Sequence, residues 1–497
     1  MTATASSPTL SGALLIGGER ITAASGGTYH HVYPGTGMPN AVIPLAGRRE
    51  IDTAVDSAWE AHREWISYPV DRRRDLLFAL ADAVRDHFAE LTELNVHDYG
   101  VPISIAGNSV LTERFLRYYA GYADKTHGAS TPVAGAFDVN IVEREPYGVV
   151  GVIAPWNGPL VVAGAAVAPA LAAGNAVILK PSELASLAPV RFGELCLEAG
   201  LPPGLVNVLP AGPEGGEALV RHPRVGKIHF TGGQATAQKV LQAASHNITP
   251  VTAELGGKSA YLVFADADLD MAAVIAAHQG PITQAGQSCA CASRILVEAP
   301  VYVRFVEKLV AAVQAAKIGD PLQPDVMFGP VITENAAERI LGVIDQAVSE
   351  KAGDLVTGGR RLGGDLASGY FIEPTIFTNV DNKMRVAQEE IFGPVLSVIR
   401  FKDEEDALRI GNDIAYGLAA GVWTQSLKRA LFMAERLKAG TVYVNNYRAT
   451  SFTSPFGGFK RSGIGRESGP EAIKDYLDVK TVWVSSDLDV PNPFIRR

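Results

Sequence analysis

From about residue 148 onward, short strand-like apolar runs alternate with helix-like ones. GVVGVIAPW reads as a strand, Val161–Ala173 as an Ala-rich helix ended by Gly174, and AVILK as a second strand. The next helix is expected from about Pro189, which suits a first helical turn, to Gly200. Leu205–Leu209 and Val225–Thr231 continue as strands, and Ala235–Ala244 as a helix. This alternation specifies a mostly parallel sheet covered on both faces. After Glu254 a second series begins with AYLVF, a helix from Asp268, SRILVE and a helix from Val301. The fold class is α/β, with two open α/β domains facing a cleft. A length of 497 residues, at about 150 per domain, leaves room for a third, smaller element.

The rest of the chain reads differently. The first fifty residues carry Gly- and Pro-rich turns between short apolar runs, as in hairpins. Ile51, Ala54, Val55, Ala58 and Trp59 repeat at helical spacing, and so do Leu76, Leu77, Leu80, Ala81, Val84 and Phe88. Asn140–Arg144 and the C-terminal YLDVKTVWVSS are isolated strands, far apart in sequence. They are expected to form a small sheet that can add to a neighbouring subunit. The implied division is 1–124 with 148–256 as a dinucleotide-binding domain, 257–475 as a catalytic domain, and 125–147 with 476–497 as a β bridging element.

Composition narrows the function. Lys plus Arg is 44 and Asp plus Glu is 53, a net charge of 44 − 53 = −9, with no basic run. That is a poor surface for nucleic acid or an anionic membrane. The long charge-free stretch Pro146–Leu179 is interrupted by Pro155, Pro159 and Pro169, so it reads as buried strand and helix, not a span. The N-terminal MTATASSPTLSG lacks the basic and apolar regions of a secretory signal. Three cysteines, Cys196, Cys289 and Cys291, point to a reducing, cytoplasmic compartment. A lone C-x-C without further ligands at metal spacing argues against a structural metal.

Four fragments carry candidate chemistry. In HFTGGQATAQKV a strand ends at Phe230–Thr231, and Gly232 and Gly233 precede a helix starting near Gln234. This is either a phosphate cradle or a plain strand-to-helix turn. In KPSE, Lys180 ends a buried strand and Glu183 follows, positioned either for the ribose hydroxyls of an adenosine or as a helix start capped by Ser182. In GQSCACASR, Cys289 lies among small residues that would let a substrate carbon reach sulfur. Cys196, in the helical ELCLEAG, reads as a buried small hydrophobe. In TAELGGKSA, Glu254 ends an apolar strand, as a general base of raised pKa or as a capping anion.

Together these fragments form an ordered set: PWN (Pro155–Asn157), KPSE (Lys180–Glu183), FTGG (Phe230–Gly233), ELGGKS (Glu254–Ser259), GQSC (Gly286–Cys289), EEIFGPV (Glu389–Val395) and PFGGFKRSG (Pro455–Gly463). The set resembles the aldehyde dehydrogenase superfamily over nearly the whole chain. The resemblance implies an NAD-dependent, hydrolytic oxidation of an aldehyde to a carboxylic acid, with NADP less favoured. It makes Cys289 the nucleophile, with the Asn157 amide and the Cys289 N–H holding the oxyanion, and Glu254 the base that activates water. Lys180 and Glu183 would take the adenine ribose, and Phe230, Thr231, Gly232 and Gly233 the pyrophosphate. Glu390 would take the nicotinamide ribose, Phe392 would lie beside the ring, and Trp156, Leu255 and Gly256 would complete the cofactor wall.

The substrate tunnel would be formed by Gly158, Val162, Ala165, Thr450 and Phe456. The first three sit at i, i+4 and i+7, one face of a helix. Their small size implies a bulky apolar aldehyde, although Arg448 on the far loop keeps an acidic semialdehyde open. The sequence departs from its relatives' pattern at Gly233, where many carry Ser, at Ala166, where many carry Lys, and at Gly158 and Thr450, where aromatics are common. A homodimer or homotetramer is implied. The rival activities are a CoA-acylating semialdehyde dehydrogenase, which typically lacks the Glu254 carboxylate, and a Cys-dependent hydrolase without redox cofactor, for which no His motif is present.

Overall fold

The structure is a computed structural model and describes residues 10–132, 138–449, 451–485 and 494. Two large sheets organise it. The first runs in the order Gly463–Ile464, Val251–Leu255, Lys227–Gly232, Val149–Ile153, Ala176–Lys180, Val206–Val208, Leu14–Ile16 and Glu19–Ile21. Its five middle strands are parallel, and the strands at both edges run antiparallel to their neighbours. Val149–Ile153 is apolar throughout and Ala176–Lys180 up to its last residue, as burial on both faces requires. The second sheet has the order Asp354–Thr357, Thr375–Thr378, Val395–Phe401, Arg294–Glu298, Ala260–Val263, Ala419–Trp423 and Thr441–Val444, parallel except at its first strand. Each sheet has its own large apolar core. These are the two open α/β units that the strand–helix alternation implies.

The two isolated strands pair as foreseen and extend further. Asp138–Pro146 and Leu477–Ser485 form an antiparallel ladder from Leu477↔Pro146 to Ser485↔Asp138, joined by Ala129–Thr131. Val139, Ile141, Val479, Trp483 and Val484 are exposed on it.

Three local expectations need correction. The repeat through Phe88 is two helices, because the chain turns at His87 (φ −110°, ψ 22°) between Val70–Asp86 and Phe88–Tyr99. The helix after KPSE begins at Leu187, so Ser182 is not its cap. The Ser182 hydroxyl instead accepts from Leu184 N–H at 3.3 Å inside a turn. The helix's first N–H groups, Leu187 and Ala188, both donate at 3.0 Å to the buried carboxylate of Asp98, a cap supplied from elsewhere in the chain. The helix after PWN starts at Pro159 and contains a π turn, Ala163–Val167. Gly158 and Val162 stay one α turn apart, with Val162 N–H donating to the Gly158 carbonyl at 3.2 Å, while the π turn adds a residue to the repeat before Ala165 and rotates it from their line. Gly158 is the residue before the helix, while Val162 and Ala165 are buried in the first core. The smallness of this helix serves packing: a Cβ on Gly164 would come within 3.0 Å of Phe115 and Thr112 on Asn108–Ala120. Among the described residues no helix is long and apolar enough to cross a membrane.

Candidate active site

In the first sheet Val149–Ile153 lies centrally. The chain proceeds from it to Ala176–Lys180 on one side and later to Lys227–Gly232 on the other. Ligands of open parallel sheets sit where the strand order reverses in this way, outside the carboxyl ends. A groove of about 1000 Å³ opens there, bounded by Ile153, Lys180, Gly232 and Leu255 at those strand ends. This is the upper end of the range for small-molecule sites. Asn157, Glu254, Cys289 and every proposed cofactor residue from Trp156 to Phe392 lie on its wall.

Cys289 reaches the groove from the second sheet on a strained segment. After the helix Leu269–Ala277 the chain makes a π turn, His278–Ile282. Gln284 (φ 53°), Ala285 (φ 51°) and Gly286 (φ 70°) are then successively left-handed. For the two non-glycine residues this costs about 1–2 kcal/mol each. Only glycine fits at the third, since a Cβ on Gly286 would lie 2.2 Å from the Gly393 carbonyl oxygen. Hydrogen bonds hold the strain. Gln284 Nε2 donates to the Asn157 carbonyl at 2.8 Å, and Asn157 Nδ2 donates to the Gln287 carbonyl at 3.0 Å. Ile332 N–H donates to Gln287 Oε1 at 2.9 Å. The PWN loop of one sheet is thereby tied to the cysteine loop of the other, an over-determined geometry of the kind found at functional sites.

The two nearby thiols differ in access. Cys289 is half-buried on the groove wall, whereas Cys291 is buried and donates Sγ–H to the Gly280 carbonyl at 3.0 Å. Burial pushes the Cys289 thiol up to about 12. The Arg448 charge opposes this, while Glu390, Glu467 and Glu254 add to it. Glu254, at the end of Val251–Leu255, is 3% exposed, and neither carboxylate oxygen has a hydrogen-bond partner. Burial, then the Glu467 charge, raise it well above the usual carboxylate range, against a smaller pull from Arg466. Glu390 is pushed up to about 7 by burial, despite accepting from Gly257 N–H at 3.2 Å. It packs against bare backbone, because a Cβ on Gly256 would fall 1.8 Å from its Oε2. The rings of Trp156 and Phe392 meet edge to face at 5.4 Å.

At the far end Lys180 donates to the Pro181 carbonyl at 3.1 Å. Burial lowers its pKa and the Glu183 charge partly restores it. Between the two ends, the helix Gln234–Ala244 begins behind Gly233, where a Cβ would meet nothing within 4 Å. Thr231 Oγ1 is buried there without a hydrogen-bond partner.

Phe456 and Tyr443 pack with Cys289, Ala290, Leu418 and Ala419. Thr450 lies outside the described residues. Sequence reasoning missed Arg339 and Lys239 on the groove wall. Arg339 donates to the Ile391 carbonyl at 2.7 Å, but no motif surrounds it on its helix. Among the described residues no cluster of His, Cys, Asp or Glu could hold a metal ion.

The groove is large enough for a dinucleotide and carries a thiol and a buried carboxylate on its wall, in a two-sheet α/β protein. The profile of the aldehyde dehydrogenase family matches residues 21–482. An aldehyde dehydrogenase of Enchytraeus buchholzi is 40% identical over 481 residues, covering 95% of both chains. A mitochondrial benzaldehyde dehydrogenase of Antirrhinum majus is 41% identical, covering 94% of this chain and 88% of its own. The crystal structure of PnpE from Pseudomonas sp. WBC-3, in complex with nicotinamide adenine dinucleotide, superimposes with a TM-score of 0.94 at 38% identity, covering 98% of this chain and all of PnpE. The chain therefore belongs to the aldehyde dehydrogenase family, whose reaction is the oxidation of an aldehyde to an acid.

Proposed function

We propose that the chain is an NAD-dependent, non-phosphorylating aldehyde dehydrogenase with Cys289 as nucleophile and Glu254 as the base of hydrolysis. The observation that carries this reading is the meeting of Cys289, Asn157 and Glu254 on one wall of a groove that also holds Lys180 and Glu183. The residues present fit the dinucleotide. The uncapped start of Gln234–Ala244 and the bare Gly233 backbone offer N–H groups to a pyrophosphate, with the orphaned Thr231 hydroxyl beside them. Lys180 and Glu183 would hold the adenine ribose and Glu390 the nicotinamide ribose, with Trp156, Phe392, Leu255 and Gly256 lining the pocket.

The Cys289 thiol gives up its proton to solvent as its sulfur bonds to the aldehyde carbon. The oxyanion accepts from the backbone N–H of Cys289 and from the second Asn157 amide hydrogen, the first being held by Gln287. When bound, NAD supplies the hydride acceptor that lets this adduct become a thioester. Glu254 then takes a proton from water as the water oxygen bonds to the acyl carbon, and the acid leaves with Cys289 restored as thiolate. The Glu254 carboxylate is what favours water over CoA as the acyl acceptor. Mixing NAD with a panel of aldehydes tests the reading; failure to form NADH with any of them, alongside retained ester hydrolysis, would favour a hydrolase.

NAD should be preferred to NADP. Glu183 can accept the 2′-hydroxyl proton but repels a 2′-phosphate carrying about −1.5 to −2 charges. Lys180 offsets part of this, so a preference is expected and Glu183→Gln should narrow it. A wild-type kcat/KM higher with NADP would refute the assignment.

The substrate is proposed to be an apolar aldehyde with a bulky, aromatic or branched terpenoid body. Phe456 and Tyr443 beside Cys289 support this, as does the benzaldehyde dehydrogenase among the relatives. Each buried methylene contributes about 0.8 kcal/mol, so two or three more carbons should raise kcat/KM by roughly ten- to fiftyfold where that gain reaches the transition state. A series from acetaldehyde to benzaldehyde and citral checks this; a maximum at succinic semialdehyde would move the assignment to the Arg448 side. The exposed apolar residues on both faces of the ladder of Asp138–Pro146 and Leu477–Ser485 support a homodimer or homotetramer, and the low cysteine content supports a cytoplasmic site of action. The domain limits drawn from the sequence, at 124, 148, 256 and 475, belong to the same proposal.

A further inference from the structure

One row of buried polar groups behind Glu254 has no task in the steps above. In the register of Lys227–Gly232 against Val251–Leu255, His229 lies opposite Thr252 and Thr231 opposite Glu254. Strand alternation therefore puts His229, Thr231, Thr252 and Glu254 on one face. His229 is 1% exposed. Its Nδ1 is 3.1 Å from the Tyr476 hydroxyl, with the two rings stacked at 6.4 Å, and its Nε2 is 3.5 Å from Glu467 Oε2. His229 Nε2, Glu467 Oε2 and both Glu254 oxygens are buried without a hydrogen-bond partner.

The loop after Phe456 brings the two carboxyl groups together. Phe456 and Glu467 exchange both backbone hydrogen bonds, at 2.7 and 2.8 Å. Gly457, beside Phe456, packs so closely that a Cβ there would come within 2.6 Å of Glu254 Oε1. The other groups facing this row are the buried Lys227, on the same strand face beside Asp475, Arg466, which pulls Glu254 down, Cys289 across the groove, and Asp475 and Tyr119 around Tyr476. Burial, then Glu467, hold the Tyr476 phenol well above its ordinary pKa, so it remains a donor. A phenol donating to Nδ1 leaves the ring proton on Nε2, facing Glu467.

We propose that His229 is a positioning residue for the hydrolytic step: fixed by Tyr476, it presents Nε2–H to Glu467 and holds that carboxylate where it receives the proton Glu254 takes from water. The proposal rests on the reading of Glu254 as base. The step balances without a redox partner. The water oxygen bonds to the acyl carbon and the C–S bond breaks, its electron pair leaving on sulfur. One water proton goes to Glu254, then to Glu467 and out to solvent, and the other leaves with the acid.

The test needs neither NAD nor the natural aldehyde. The acetyl-enzyme is formed on Cys289 with p-nitrophenyl acetate, and its decay is followed by intact-protein mass spectrometry from about pH 5 to 9, spanning the range of a raised carboxyl group. His229→Leu should slow decay about tenfold near neutrality, less than loss of the base itself. It should also move the acidic limb down, because Glu467 released from Nε2 no longer holds its charge in the fixed place that raises Glu254. His229→Gln, whose side-chain amide still donates to Glu467, should keep the wild-type limb. Equal decay in the Leu and Gln variants, whether fast or slow, would reduce His229 to packing and overturn the proposal. Should His229→Leu fail to fold, Tyr476→Phe carries the test: it keeps the stacked ring and loses the hydroxyl, and an unmoved limb is the overturning result. Wild-type decay in Glu254→Gln would instead remove Glu254 as the base, a failure distinguishable from that of His229.

Discussion

Cys289→Ala should remove aldehyde oxidation almost completely, a fall of at least about 10⁴-fold in kcat, while Cys291→Ala keeps most of the activity. A single residue, Ala290, separates these thiols, but their surroundings divide them. Cys289 faces the groove with Asn157 and Glu254, whereas the Cys291 thiol is buried and bonded to Gly280. Measuring NADH formation in both variants, with circular dichroism to confirm folding, decides the matter. Equal losses in the two would sink the assignment. The high thiol pKa sharpens the expectation, since the resting nucleophile is held protonated. Alkylation by iodoacetamide should therefore be slow at neutral pH and rise with pH.

Glu254→Gln should separate the two halves of the reaction. The thioester would form and then hydrolyse slowly, giving an NADH burst followed by a steady state lower by about 10²- to 10⁴-fold. Loss of the burst with cofactor binding intact would assign Glu254 to activation of Cys289. The pH dependence has a definite sign. A base acts only when ionised, and burial with Glu467 nearby raises Glu254 well above an ordinary carboxyl group. The acidic limb of hydrolysis should thus lie at higher pH than an exposed glutamate would give, and the rate should climb through that limb as pH rises. A limb near the ordinary value of about 4.3 would mean that the base is not this buried group.

Strand–helix alternation made both sheets legible, because parallel strands buried on two faces leave unbroken apolar runs such as AVILK. The ordered motifs gathered the groove's chemical residues in advance, since each sits at a strand end or a turn where local sequence dictates the backbone. What stayed hidden depended on partners remote in sequence. The cap on Leu187–Glu198 comes from Asp98, some ninety residues earlier. The π turn at Ala163–Val167 is invisible in a run of small residues, so the helical spacing that joins Gly158 to Val162 does not carry on to Ala165. Arg339 reaches the groove from a helix whose pattern reports only its buried side. His229 reads as one more strand residue until Glu467 and Tyr476 are folded around it.

The strand that ends in Glu254 is covered on its outer edge by Gly463–Ile464, a segment more than two hundred residues further along the chain. On the ribosome, at about 5–20 residues per second, 497 residues take roughly 25–100 s to emerge. For much of that time Val251–Leu255 is an apolar edge with no neighbour beyond it, the kind of edge that recruits other chains. The nascent protein can therefore complete its second sheet before its first is closed. Sealing Glu254, the base proposed above, thus waits for one of the last segments to emerge, and the open edge is one that chaperones shielding strand edges would cover until synthesis ends.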